Sequence, residues 1–182
     1  YAQNFPIYTP LPPWPINTGH EGGGTWENHI TLADLDGGLP EVISPMGTYL
    51  HVYSGDGTAK WTVQSGSSYD NYESPAVGDV TGDGLPEVVT SIGPPTWITG
   101  NPITGYIKVY ARDGTLLSTI GPALFNNELL SSVALANMDA DPALEIVVTT
   151  AGSATTNARV FALNNDTSIV PGWPQEVTKA IS

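Results

Sequence analysis

One acidic, glycine-rich segment flanked by β-branched residues occurs three times, and this repetition constrains the fold more than any other feature of the chain. The copies are ITLADLDGGLPEVIS (residues 30–44), PAVGDVTGDGLPEVVT (75–90) and SVALANMDADPALEIVVT (132–149). Their closing glutamates, Glu41, Glu87 and Glu145, stand 46 and 58 residues apart. The longer interval holds a proline- and glycine-rich insertion, GPPTWITGNPITG (93–105), which leaves a period of about 45 residues. A unit of that size cannot bury its own apolar face, so neighbouring copies must stack to make a core.

Each unit continues in the same order. A β-rich run follows the acidic segment: YLHVYS (49–54), YIKVYA (106–111) or ARVFAL (158–163). Next comes a turn, GDG (55–57), RDG (112–114) or NND (164–166), and then a last run, TAKWTV (58–63), TLLSTI (115–120) or TSIVPGWP (167–174). Asp-Gly between alternating apolar residues is a strong hairpin signal. Helical spacing of apolar residues is everywhere interrupted by Gly, Pro or Asn, so the chain reads as all-β. Four short strands per unit indicate β-propeller blades; an irregular sandwich of about a dozen strands is the alternative.

The expected organisation is a Pro-rich segment (1–29), a first blade (30–74), a second (75–131, with the 93–105 insertion) and a third (132–182). PPWPINTG (12–19) resembles PGWPQEVT (171–178), so the chain is expected to open with the last strand of a preceding unit. Three four-stranded antiparallel blades and an extra strand are fewer than the roughly four to eight that close a propeller. The expectation is therefore part of a larger propeller or of an assembly.

Charge narrows the partners. With 5 Lys+Arg against 18 Asp+Glu the formal net charge is -13. Phosphate binding needs clustered Lys and Arg, so nucleic acid is excluded as a partner. The five Trp and eight Tyr among short apolar runs argue against disorder. Zero cysteine excludes a disulfide scaffold. No run approaches the ~18 apolar residues of a membrane span. A first residue of Tyr1 and no cysteine suit a processed, secreted or cell-surface chain.

The chemistry lies in the acidic segments, which hold nine of the 18 acids. DVTGDGLPE places Asp79, Thr81, Asp83 and Glu87 at positions one, three, five and nine, with Gly84 for a sharp turn and Leu85 to offer a backbone carbonyl. Alternate side chains of a curled loop converge, and a hard cation such as calcium takes six to eight oxygens at about 2.3 to 2.6 Å. NMDADPALE repeats the set with Asn137, Asp139, Asp141 and Glu145, Ala143 as carbonyl donor and Pro142 in place of the glycine. DLDGGLPE, with Asp34, Asp36 and Glu41, is one residue shorter and lacks the position-five carboxylate, which makes it the weakest site. Clustered carboxylates repel one another unless protonated or bound to a cation. Asp/Gly turns whose carboxylates only cap backbone amides are the alternative; recurrence at one place in every unit favours metal.

The three segments resemble FG-GAP/VCBS-type β-propeller blades, found in integrin α-subunit heads and bacterial secreted proteins. The resemblance implies that the D-x-D-x-D-G-x-x-E loop joins the first two strands of a blade and binds Ca2+. Asp79, Thr81, Asp83, Gly84 and Glu87 match it, as do Asn137, Asp139, Asp141 and Glu145. Two calcium sites and a weaker third are therefore expected.

Enzyme motifs are absent: His20, His29 and His51 are scattered, and neither HExxH nor GxSxG occurs. His29 reads as an inter-strand hydrogen bonder, and His51 as a structural residue on a strand. Trp97, on the insertion, is a candidate to stack on a sugar or anchor a protein, or to cover its own blade. Trp14, Trp61 and Trp173 recur near unit ends and read as packing between blades. Asn165 begins a glycosylation sequon on a turn. The expectation is an extracellular, calcium-stabilised, non-catalytic module for adhesion, ligand binding or assembly, with a protein, a carbohydrate or other copies of itself as partner. The alternatives are the propeller part of a secreted polysaccharide lyase or other carbohydrate-active enzyme, and the repeating subunit of an extracellular fibre.

Overall fold

The structure, a computed structural model, describes residues 14, 16, 30–46, 48–64, 71–93, 105–125, 128–151 and 157–177. The first sheet runs in the order β1 (Thr31–Ala33), β2 (Glu41–Met46), β3 (Tyr49–Tyr53) and β4 (Ala59–Gln64). In the second, β6 (Ala76–Gly78) and a short β5 (Asn71–Tyr72) pair different stretches of β7 (Glu87–Gly93), which continues to β8 (Tyr106–Tyr110) and β9 (Leu116–Ile120). The third is β10 (Ala134–Ala136), β11 (Glu145–Thr149), β12 (Ala158–Leu163) and β13 (Gln175–Val177). All pairings are antiparallel, and helix among the described residues is limited to a 3-10 turn, Ala123–Phe125. The chain is all-β, with one sheet per repeat as the sequence indicates. The second sheet reaches back to Asn71, ahead of the boundary expected at 75.

Burial patterns show how the sheets stack. Strand β2 alternates buried and half-buried residues, the mark of a sheet covered mainly on one face, whereas β7 is buried at six consecutive positions. Successive side chains point to opposite faces, and the two faces of β7 feed different cores. Val88 and Ile92 join Leu35, Ile43, Leu50 and Val52 of the first unit. Val89 joins Ile146, Val148 and Phe161 of the third. The second sheet is thus the middle layer.

A single hairpin turn recurs between the third and fourth strands. Asp56, Asp113 and Asp166 each accept, at 2.9 Å, the N–H two residues on. The left-handed position after each Asp is filled by Gly57 (φ 86°), Gly114 (φ 87°) and, in the third unit, Thr167 (φ 74°). The third unit departs from the others afterwards. Ile169 bridges back to Leu163 and the Val170 N–H donates to the Ala162 carbonyl at 3.0 Å, and strand pairing then resumes only at Gln175. The expected last run, 167–174, is therefore split, because Pro171 and Pro174 have no N–H to give a ladder and Gly172 turns the chain with φ 93°.

Two tryptophans tie units together. Trp61 of β4 donates its Nε1–H to the Arg112 carbonyl at 2.9 Å and lies 6.2 Å from the Tyr110 ring. Trp14 does the same to the first unit, reaching the Gly55 carbonyl at 3.4 Å and the Tyr53 ring at 6.1 Å. Gly55 and Arg112 hold the same place in their turns, so one contact is used twice. The rest of the expected Pro-rich segment, 1–29, lies outside the described residues apart from Ile16.

Candidate metal centre

Strand register builds the same frame in each unit. Ala33 pairs Glu41, Gly78 pairs Glu87, and Ala136 pairs Glu145, so the closing glutamate stands across from the residue that enters the acidic loop. Each glutamate is at most 3% exposed although it carries a carboxylate. One oxygen of each ties the loop shut. Glu41 Oε2 accepts the Leu35 N–H at 2.7 Å, Glu87 Oε2 accepts those of Val80 and Thr81 at 3.1 and 3.3 Å, and Glu145 Oε2 accepts that of Met138.

Beyond this frame the loops differ. In the third, ligand oxygens of Asp139, Asp141 and Glu145 all lie within 4.8 Å of one another. Asp139 Oδ1 accepts the Asp141 N–H at 2.9 Å and Asp141 Oδ1 that of Ala143 at 2.8 Å, while Asn137 donates its side-chain N–H to the Asp141 carbonyl at 2.6 Å. These bonds curl the loop and leave further lone pairs on every carboxylate. No Lys or Arg pairs with this group among the described residues. Three convergent carboxylates without a counter-charge, beside amide and backbone carbonyls, suit a hard oxygen-binding cation.

The second loop has the fuller motif, yet Asp79, Asp83 and Glu87 do not form such a group. Asp79 is turned onto backbone amides: its oxygens accept the N–H groups of Gly82 (2.6 Å), Asp83 (3.2 Å) and Gly84 (2.8 Å), and Thr81 Oγ1 lies at 3.5 Å. Asp83 Oδ1 accepts from Leu85 at 2.8 Å. Desolvation pushes the Asp79 carboxyl up, but the hydrogen bonds from Gly84, Gly82 and Asp83 outweigh it and hold the group below its usual value. Burial pushes Glu87 up, the amides of Val80 and Thr81 oppose this, and the charges of Asp83 and Asp79 add to it. The loops also touch, since the Leu144 N–H donates to the Asp79 carbonyl at 2.8 Å.

In the first loop, expected to be the weakest, Asp34, Asp36 and Glu41 do gather. Asp34 Oδ1 accepts the N–H groups of Asp36, Gly37 and Gly38 at 3.1, 2.7 and 3.0 Å. The gathering agent is Lys60 of β4, whose Nζ lies 2.6 Å from Asp36 Oδ2 and 2.6 Å from Glu41 Oε1. Those hydrogen bonds raise the lysine's pKa and hold the Asp36 carboxyl below the ordinary 3.8. The motif reading missed Lys60 because it sits 19 residues beyond Glu41 on another strand. The available signal was a lone lysine on the last strand of the unit whose loop is a residue short.

The remaining candidates fall elsewhere. His51 is buried, its Nδ1 lies 3.0 Å from Thr62 Oγ1, and its ring stacks between Tyr49 and Tyr53. It is a packing residue. Asn165 is half-buried on the third turn. Trp97, His20 and His29 lie outside the described residues.

Comparison with known proteins gives one family match. The model of the FG-GAP-like repeat family matches residues 38–90, which run from the first acidic loop through β7's entry. Three antiparallel sheets, each with its acidic loop between the first strands, are consistent with propeller-like blades, and residues 38–90 are similar to an FG-GAP-like repeat. Among solved structures, a protein of unknown function from Bacteroides caccae is similar at 10% identity with a TM-score of 0.48, over 85% of this chain and 48% of that one. The chain thus spans about half of that protein's length. No curated protein matches the sequence.

Proposed function

We propose that this chain is a calcium-stabilised extracellular module that works in adhesion, ligand binding or assembly, as a rigid binding or structural element rather than a catalyst. The observation that carries the calcium reading is the third loop, where Asp139, Asp141 and Glu145 converge within 4.8 Å and Glu145 is 1% exposed. Asn137 and the Ala143 carbonyl complete an all-oxygen donor set there. In the second loop Asp79, Thr81, Asp83, the Leu85 carbonyl and Glu87 hold the corresponding places, and they would have to draw together around an ion, because Asp79 there faces its own loop's amides. A bound divalent ion supplies positive charge, which offsets the repulsion among carboxylates and joins the two strands at the loop's base. An extracellular role is supported by the FG-GAP-like repeat and by millimolar calcium outside cells, where modules of modest affinity are filled. No helix of the described residues is long and apolar enough to cross a membrane.

Calorimetric titration with calcium tests the reading. Asp141→Asn should remove one equivalent of binding from the chain without unfolding it. Binding unchanged by Asp141→Asn would refute the assignment of the third loop.

A further inference from the structure

The first loop answers the question that the other two leave to a metal: what neutralises a nearly buried glutamate beside an aspartate. We propose that Lys60 is the first unit's built-in cation, so that this loop is held shut by an ammonium group and takes no calcium while Lys60 is present. The inference rests on the calcium reading of the other loops and separates the three units into one that is metal-independent and two that are not.

Three observations carry it. Lys60 Nζ stands 2.6 Å from one oxygen each of Asp36 and Glu41, between the two residues whose counterparts gather in the third loop. A single positive group at that distance from both occupies the space in which a cation would have to sit. The glutamate is then satisfied on both sides, since Oε2 takes the Leu35 amide and Oε1 takes the lysine.

The second observation is register. In the first sheet Tyr53 pairs Ala59 and Val52 pairs Trp61, so Lys60 is the extra residue of a bulge. In the second sheet Tyr110 pairs Leu116 and Val109 pairs Ser118, which puts Leu117 at the same bulge. In the third, Leu163 bridges Ile169, and Val170 follows. The place that carries an amine in the first unit carries a branched alkyl group in the others. The third observation is loop length: DLDGGLPE lacks both a residue and the position-five carboxylate that Asp83 and Asp141 supply. The unit with the shorter loop and no position-five carboxylate is the one with the lysine, and the two departures compensate each other.

Equilibrium dialysis against calcium, using the full chain and four variants, decides the matter. Wild type and Asp36→Asn should bind the same number of calcium ions. Lys60→Met should bind one more, and Lys60→Met/Asp36→Asn should lose that extra ion. Lys60→Arg, which keeps the charge, should match wild type. An equivalent lost on Asp36→Asn, or no gain on Lys60→Met, overturns the proposal. If Lys60→Met folds only when calcium is added, the metal has replaced the lysine and the proposal is supported. If it folds under neither condition, Asp36→Asn and Lys60→Arg decide by whether their stoichiometry equals that of wild type. If wild type and Asp141→Asn both bind no calcium, the reading of the third loop fails, yet a gain of one ion on Lys60→Met would still establish Lys60 as the substitute cation.

Discussion

Replacing Gly114 by alanine probes how the first and second units are joined. Gly114 has φ 87°, in the left-handed region, and a Cβ built there would lie 2.9, 3.0 and 3.2 Å from ring atoms of Trp61. Two costs add. The left-handed backbone costs an alanine about 1–2 kcal/mol, and crowding a packed aromatic costs about 1–3 kcal/mol. Gly172 separates them, because its φ is 93° but a Cβ there meets nothing within 4 Å. Gly114→Ala should therefore lose about 2–5 kcal/mol and Gly172→Ala about 1–2 kcal/mol in urea unfolding followed by tryptophan fluorescence. Trp61→Ala removes the ring that the new methyl would strike, together with its bond to the Arg112 carbonyl. The double variant should consequently be more stable than the sum of the single losses predicts, by about 1–2 kcal/mol. Equal losses at Gly114 and Gly172, with strict additivity in the double variant, would refute the claim that this indole sits on the neighbouring turn.

Two further expectations follow from the repeated turn. Thr167 occupies with φ 74° the position that glycine fills in the other units, so Thr167→Gly should stabilise the fold by about 1 kcal/mol, measured by thermal unfolding. Hydrogen bonds from the Thr115 backbone and side chain hold the exposed Asp113 carboxyl below the ordinary 3.8. A depressed folded pKa contributes stability above pH 3.8 that is lost as the pH falls through the folded value. Asp113→Asn should thus flatten the decline of stability below pH 3.8 and leave the profile near neutrality parallel to wild type, as read from denaturant melts at several pH values.

Much of this architecture was legible in sequence because its signals are local. Alternating side chains around Asp56, Asp113 and Asp166 encode hairpins, and the spacing of Glu41, Glu87 and Glu145 encodes the repeat. The pairing of each glutamate with the residue entering its loop follows from both. Features that depend on other strands were not legible. The motif ranks the second loop above the first, yet Asp79 spends its oxygens on its own loop's amides, and Lys60 draws the first loop together from β4. The split of the third unit's last run likewise turns on where Pro171 and Pro174 fall relative to a ladder rather than on apolar alternation. The runs 58–63 and 115–120 already set Leu117 against Lys60, but that this place lies beside the acidic loop is visible only in three dimensions.

Thermal unfolding of the whole chain by calorimetry, after metal is stripped with EDTA and again with calcium restored, reads out whether the native loops hold calcium. A ligand bound only by the native state stabilises it by RT ln(1 + [L]/Kd), about 2.7 kcal/mol per site at a hundredfold excess over Kd. The melting temperature should fall in EDTA, recover fully with calcium, and respond less to calcium in Asp141→Asn. A melting curve identical with and without calcium, once removal of the metal has been verified by elemental analysis, would contradict the calcium reading.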